Sequence, residues 1–196
     1  MWPKVGVSVI VLARSSSLVH VGHVALIRRA QRPAKGLYSF PGGKLNLGET
    51  ISECAVREAR EEIGLSCVVH NQNVPAFAVT DSITYGDNNK TIDFHYAVVH
   101  VLAMAQCNDG EGRFTLPKLL AGDDADDALW FRVDDLIAPD APDSLSNNCV
   151  TSSSGIKINR SMLVPKMSEV LVSLKAHLKT LTNLETRNFD LKLVEK

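Results

Sequence analysis

The chain lacks most of what marks a protein as secreted, membrane-embedded or a general nucleic-acid binder. Its four cysteines, Cys54, Cys67, Cys107 and Cys149, include no C-x-x-C pair, and no His/Cys cluster has zinc spacing. That usage predicts free thiols in a reducing compartment rather than a disulfide framework. Met1-Trp2-Pro3-Lys4 shows no signal-peptide pattern. The apolar run Val5–Leu12 is far shorter than the roughly 20 residues that a bilayer span needs. The expected location is therefore cytoplasmic, with no membrane partner. Asn89-Lys90-Thr91 matches a glycosylation triplet, but without a secretory signal it reads as a chance match in a turn. Net charge is only −1, so no nucleic-acid partner is expected. No internal repeat is visible.

What is present suits one globular domain over 1–196. The chain has 196 residues, 45% hydrophobic and 22% charged, enough to bury a sizeable core. Val5–Ala13 is rich in β-branched residues and predicts a buried strand, with His20–Arg29 as its partner. A Pro- and Gly-containing loop follows, then a short strand at Leu37–Phe40. Thr50–Ile63 predicts a helix: Thr50 as N-cap, Glu53 completing a capping box, Gly64 as the stop. Cys67–Tyr85 and Thr91–Ala105 read as extended and joined by the turn Gly86–Asn89. Asp109–Asp127 reads as an acidic loop, Ala128–Val133 as a strand, and Asp134–Ile137 as a helical turn. Residues 138–159, dominated by Pro, Ser, Asn and Asp, predict a flexible surface insertion. Pro165–Leu181 closes the chain with an amphipathic helix whose apolar stripe faces a core. Strands and two helices in this order predict an α/β fold, a mixed sheet with a helix on each face.

The chemistry concentrates in Gly43–Leu65, GKLNLGETISECAVREAREEIGL. At helical spacing Glu58, Glu61 and Glu62 fall within an arc of about 100° that also holds apolar positions. Two like charges about 5 Å apart repel by roughly 3 kcal/mol at an effective dielectric of 20. A hard divalent cation relieves this, because carboxylate oxygens are its preferred ligands. A plain solvated acidic face, balanced by Arg57 and Arg60, is the alternative. The flanks argue against it: Gly42-Gly43 permit close backbone approach to a phosphate, Lys44 adds a cation, and Glu49 lies within reach of Arg57.

These residues match the Nudix box, Gly-x5-Glu-x7-Arg-Glu-U-x-Glu-Glu-x-Gly-U, where U is a bulky aliphatic residue. Gly43, Glu49, Arg57, Glu58, Glu61, Glu62 and Gly64 satisfy all its fixed positions, and Leu65 fits the last U. By chance such a match arises at a given start on the order of once in 10⁸. Ala59 departs from the pattern by being small, which predicts tight helix packing there. The chain thus resembles the Nudix hydrolases, and Gly36–Lys44, Phe94-His95-Tyr96 and the stretch Ala121–Phe131 resemble the small ADP-ribose-pyrophosphatase-like branch. That resemblance implies an α/β/α sandwich with a mixed sheet and hydrolysis of a diphosphate linkage in a small nucleotide substrate, with Mg²⁺ or Mn²⁺ as cofactor.

By the same resemblance Glu58, Glu61 and Glu62 supply metal ligands, Gly43 lies near the metal, and Arg57 orients a glutamate. Gly42, Gly43 and Lys44 sit at the phosphates. Glu61 is one candidate base; Asp123, Asp124, Asp126 and Asp127 are others, with Glu111 more remote. Guanidinium chemistry suits Arg28 or Arg29 to phosphate, but the two alternate faces, so at most one points to the site. Tyr38 or Phe40 is placed for stacking on a base or for core packing. His95 and His100 read as ordinary strand residues without a role. Three activities compete: hydrolysis of ADP-ribose or a similar nucleotide sugar, removal of oxidised or non-standard nucleoside triphosphates, and a silent ligand-sensing module. The intact acids disfavour the last. A DNA-binding appendage after Leu163 is disfavoured by its sparse basic charge. Related proteins are often dimers, so the resemblance also implies a homodimer as one assembly.

Overall fold

The computed structural model describes residues 2–13, 22–86, 90–107, 114–122, 124–137 and 149–178. Strand β1 (Lys4–Ala13) is buried on both faces for most of its length, as its β-branched run demands. It pairs antiparallel with β2 (His23–Arg29), while β2 pairs with β3 (Tyr38–Ser39). It also pairs antiparallel with β4 (Gly42–Lys44). Helix α1 (Ile51–Ile63) follows, then β5 (Cys67–Val69), β6 (Ala76–Tyr85) and β7 (Ile92–Ala105). β7 lies parallel to β1 from Lys4↔Tyr96 to Leu12↔Met104 and carries β5 and β6 on its other side. β8 (Ala125–Arg132) pairs with β2 and leads into α2 (Val133–Ile137). A hairpin of β9 (Cys149–Thr151) and β10 (Lys157–Asn159) precedes α3, helical over 167–178.

Alternation along β1 sends its side chains into two cores. Val7, Val9 and Val11 meet Cys54, Ala55, Ala59 and Ile63 of α1. Ile10 and Leu12 face the other way, where Met167, Val170, Leu171, Leu174 and Leu178 of α3 pack with Phe131. The architecture is thus the expected α/β/α sandwich on a mixed sheet. Ala59 is fully buried, in keeping with tight packing at that helix position.

Several boundaries differ from expectation. Β-structure over Cys67–Tyr85 is broken between Val69 and Ala76 into two strands, both on β7. β8 begins at Ala125 rather than Ala128, because β2 is long enough to pair with Asp127 opposite Arg28; Asp126 and Asp127 are therefore strand residues, not loop acids. The expected irregular insertion at 138–159 ends in the β9–β10 hairpin, whose Val150 and Ile158 are buried in the α3-side core. Its polar composition concealed two apolar anchors. Residues 138–148 lie outside the described residues, as do 87–89 of the expected turn and 179–181 of the expected last helix. That helix starts at 167, after a turn in which Lys166 adopts φ 66°.

Candidate active site

Helix α1 is held at both ends by its own sequence. Thr50 accepts from the Glu53 amide at 3.2 Å, and the Glu53 carboxylate accepts from the Thr50 amide at 2.8 Å. Gly64 closes the helix at φ 69°, a left-handed conformation that costs glycine little. A helix so fixed carries Arg57, Glu58, Glu61 and Glu62 to the β4 end of the sheet.

Arg57 is the hub of the site. Its Nε donates to Glu49 Oε1 at 2.7 Å and its Nη2 to Glu49 Oε2 at 3.0 Å, a bidentate pair. Its Nη1 donates to Glu58 Oε1 at 2.6 Å and to Glu61 Oε2 at 2.9 Å. The guanidinium holds the Glu49 carboxyl down to about 2. Glu62 lies on the inner side, 4% exposed, and accepts from the Gly42 amide at 2.8 Å. Burial pushes its carboxyl up to about 7, with Glu58 adding to the effect. Burial also raises Glu58, against the pull of Arg57.

The two glycines are required by close approach. A Cβ on Gly42 would strike the Val7 carbonyl oxygen, and one on Gly43 would run into the Glu58 carboxylate. Gly42, Gly43 and Lys44 line one cavity of about 1020 Å³ with Arg29, Arg57 and the three glutamates. Every residue singled out by the box and its glycine turn for metal or phosphate contact thus borders a common space, and so does Arg29, on the face opposite Arg28.

The three acids do not converge on a point. Among the described residues no group of three His, Cys, Asp or Glu side chains stands ready to hold a cation. Arg57 draws Glu58 and Glu61 to itself, and Glu62 turns to Gly42. Of the other acids, Asp124 borders the cavity, Asp127 instead accepts from the Ala128 amide, and Asp123 and Glu111 lie outside the described residues. Phe40 lines the cavity, whereas Tyr38 is core, edge-on to Phe131 at 6.0 Å.

Sequence reasoning passed over His100. It is 7% exposed and lines the cavity; its Nε2 pairs with Thr80 Oγ1 at 2.9 Å, and its Nδ1 has no partner among the described residues. The available signal was period two: Phe94, Tyr96, Val98 and His100 share one face of β7, and all four border the cavity.

The NUDIX domain family model matches residues 2–148. An ADP-ribose pyrophosphatase from Methanocaldococcus jannaschii is 32% identical over 113 residues, 58% of this chain and 56% of that protein. The match thus spans little more than half of that relative's length. The NUDIX domain of Shewanella oneidensis NrtR, solved with ADP ribose, superposes with a TM-score of 0.57 at 11% identity, over 91% of this chain and 90% of the other. A Caenorhabditis elegans Ap4A hydrolase in a binary complex superposes with a TM-score of 0.55 at 13% identity, over 90% and 98%. At such identities the two structures demonstrate a common fold. Among the described residues no helix is long and apolar enough to cross a membrane.

Proposed function

The chain belongs to the NUDIX domain family, and from that premise we propose that it hydrolyses the diphosphate linkage of a nucleoside diphosphate derivative, with ADP-ribose or a similar nucleotide sugar as the substrate class and Mg²⁺ or Mn²⁺ as cofactor. One observation carries the reading: three carboxylates, Glu49, Glu58 and Glu61, share the Arg57 guanidinium, a fourth, Glu62, borders the same cavity, and Glu58 and Glu62 are buried. An anionic diphosphate would be repelled by that surplus unless a cation joined it. Mg²⁺ typically takes one or two carboxylates and completes its shell with waters and phosphate oxygens. The donor set here fits that habit, so Glu58 and Glu62 would hold the ion, with Glu61 and the Gly43 backbone beside them.

A divalent cation bound there supplies Lewis-acid polarisation of the phosphoryl group and lowers the pKa of the attacking water. The remaining work falls to the chain. Glu61, with 36% side-chain exposure, is more open than Glu58 at 10% and would take the proton from that water. Arg57 positions both Glu58 and Glu61. Arg29 and Lys44 present cations to the phosphate oxygens, and Gly42-Gly43 let them approach the backbone. The water oxygen bonds to one phosphorus as the bridging phosphorus–oxygen bond breaks; ADP-ribose then leaves as AMP and ribose 5-phosphate. The sequence relative named as an ADP-ribose pyrophosphatase supports this choice of substrate.

The test is product analysis across a panel of nucleotides. AMP plus ribose 5-phosphate, formed with Mg²⁺ or Mn²⁺ and lost on chelation, is expected. A nucleoside monophosphate plus pyrophosphate from triphosphates alone would replace it with the sanitising activity; tight binding without turnover would replace it with the silent module. Glu61→Gln and Glu62→Gln should each lower kcat/KM by on the order of 10²-fold or more. Unimpaired turnover by both variants would remove the metal site from the proposal.

A further inference from the structure

The end of the cavity away from the glutamates has its own chemistry. His100 borders it, 7% exposed, with Nδ1 lacking a partner among the described residues. Leaving a buried polar nitrogen unpaired costs about 1–3 kcal/mol. The ring cannot easily turn to find one: Nε2 is tied to Thr80 Oγ1 at 2.9 Å, and Phe40 stands edge-on with ring centroids 6.2 Å apart. Tyr96 and Val98, on the same face of β7, continue an apolar wall away from it.

The distance from the glutamates is set by strand pairing. Gly42, which donates to Glu62, lies opposite Ser8, and Ser8 lies opposite His100. Two strand spacings put His100 about 10 Å from Gly42. That is the reach of a nucleoside beyond its phosphate. We propose that His100 Nδ1 is a specificity-determining hydrogen-bonding group for the nucleobase of the substrate, with Phe40 and Tyr96 as its apolar surroundings. The proposal rests on reading the cavity as the diphosphate site. Burial pushes the imidazole down to about 4, so at neutral pH it is uncharged. An uncharged ring with one unpartnered nitrogen, donor or acceptor according to its tautomer, suits the edge of a neutral heterocycle and lacks the charge that favours a phosphate.

The experiment is direct binding by the full chain in EDTA, so that turnover plays no part. AMP and ribose 5-phosphate share a phosphate and a pentose; AMP adds the base. Wild-type protein should bind AMP more tightly, and His100→Phe should shrink the ratio of the two affinities about tenfold, the loss of roughly 1.4 kcal/mol. His100→Asn, whose amide reaches the Nδ1 position, should restore most of the ratio. On wild-type protein, AMP should shift the ¹⁵N resonance of His100 Nδ1 while ribose 5-phosphate leaves it in place, a readout that stands even if His100→Phe does not fold. An unchanged ratio in a folded His100→Phe, or no selective shift at Nδ1, overturns the inference. If AMP shifts Nδ1 yet no diphosphate is hydrolysed, the activity fails and the base subsite stands. If ADP-ribose is hydrolysed while the ratio ignores His100, only the base subsite falls.

Discussion

Individual side chains in this site are defined by what they cannot do alone. Arg57 partners Glu49, Glu58 and Glu61 at 2.6–2.9 Å and is 23% exposed. Arg57→Ala would strand three carboxylates. Breaking a fully buried pair costs 3–5 kcal/mol; with the partial exposure here, about 2 kcal/mol is expected, measured by urea denaturation, together with a large loss of turnover. His100 makes a prediction with a definite sign. Its folded pKa, about 4, lies below the ordinary 6.5, so the unfolded chain binds the extra proton. Stability from this group is therefore complete above pH 6.5 and declines as pH falls towards 4, by at most about 1.4 kcal/mol per pH unit. His100→Phe should flatten the stability–pH curve in that window by this amount relative to wild type. A parallel curve for the variant would mean that the imidazole charges freely in the folded state.

Within α1 the caps and the glycine turn divide the labour. Thr50 and Glu53 sit on the solvent side and only fix where the helix starts. Thr50→Ala should cost about 1 kcal/mol of stability and leave kcat nearly intact well below the melting temperature. Gly43→Ala should do the reverse. The added methyl would occupy the place of the Glu58 carboxylate, so Glu58 must swing away; kcat/KM is expected to fall on the order of tenfold or more, with a smaller change in Tm. The cap and the spacing of the fixed residues were legible in the sequence, whereas the contact of Gly43 with Glu58 was not. A capping box and a spaced set of fixed residues are local, and a helix converts spacing into direction without help from the rest of the chain. The β9–β10 hairpin was not legible. Only two of its side chains, Val150 and Ile158, reach the core, and no periodicity survives in so short an element.

Across the whole molecule, the cavity is closed from two layers. The acids approach from α1 on one face of the sheet, while Met167 and Val170 come from α3 on the other. Leu171 and Leu174 are fully buried beneath them. Leu174→Ala should cost about 2–5 kcal/mol, seen as a fall in Tm, because the void cannot collapse between two packed layers.

Sequence alone determined the sandwich class, the helix that bears Arg57, Glu58, Glu61 and Glu62, and the reach of Arg57 to Glu49, since each follows from periodicity or from contacts within about two dozen residues. Tertiary structure decided that Arg57 gathers Glu58 and Glu61 while Glu62 turns to Gly42, that Tyr38 is core while Phe40 lines the cavity, and that Asp127 belongs to a strand. It also decided that His100, 42 positions after Glu58, completes the far end of the same space. Those outcomes depend on which strands lie side by side, here the parallel pairing of β1 with β7. Strand neighbours are chosen by the burial of whole faces, a sum over the entire chain that no single stretch of sequence carries.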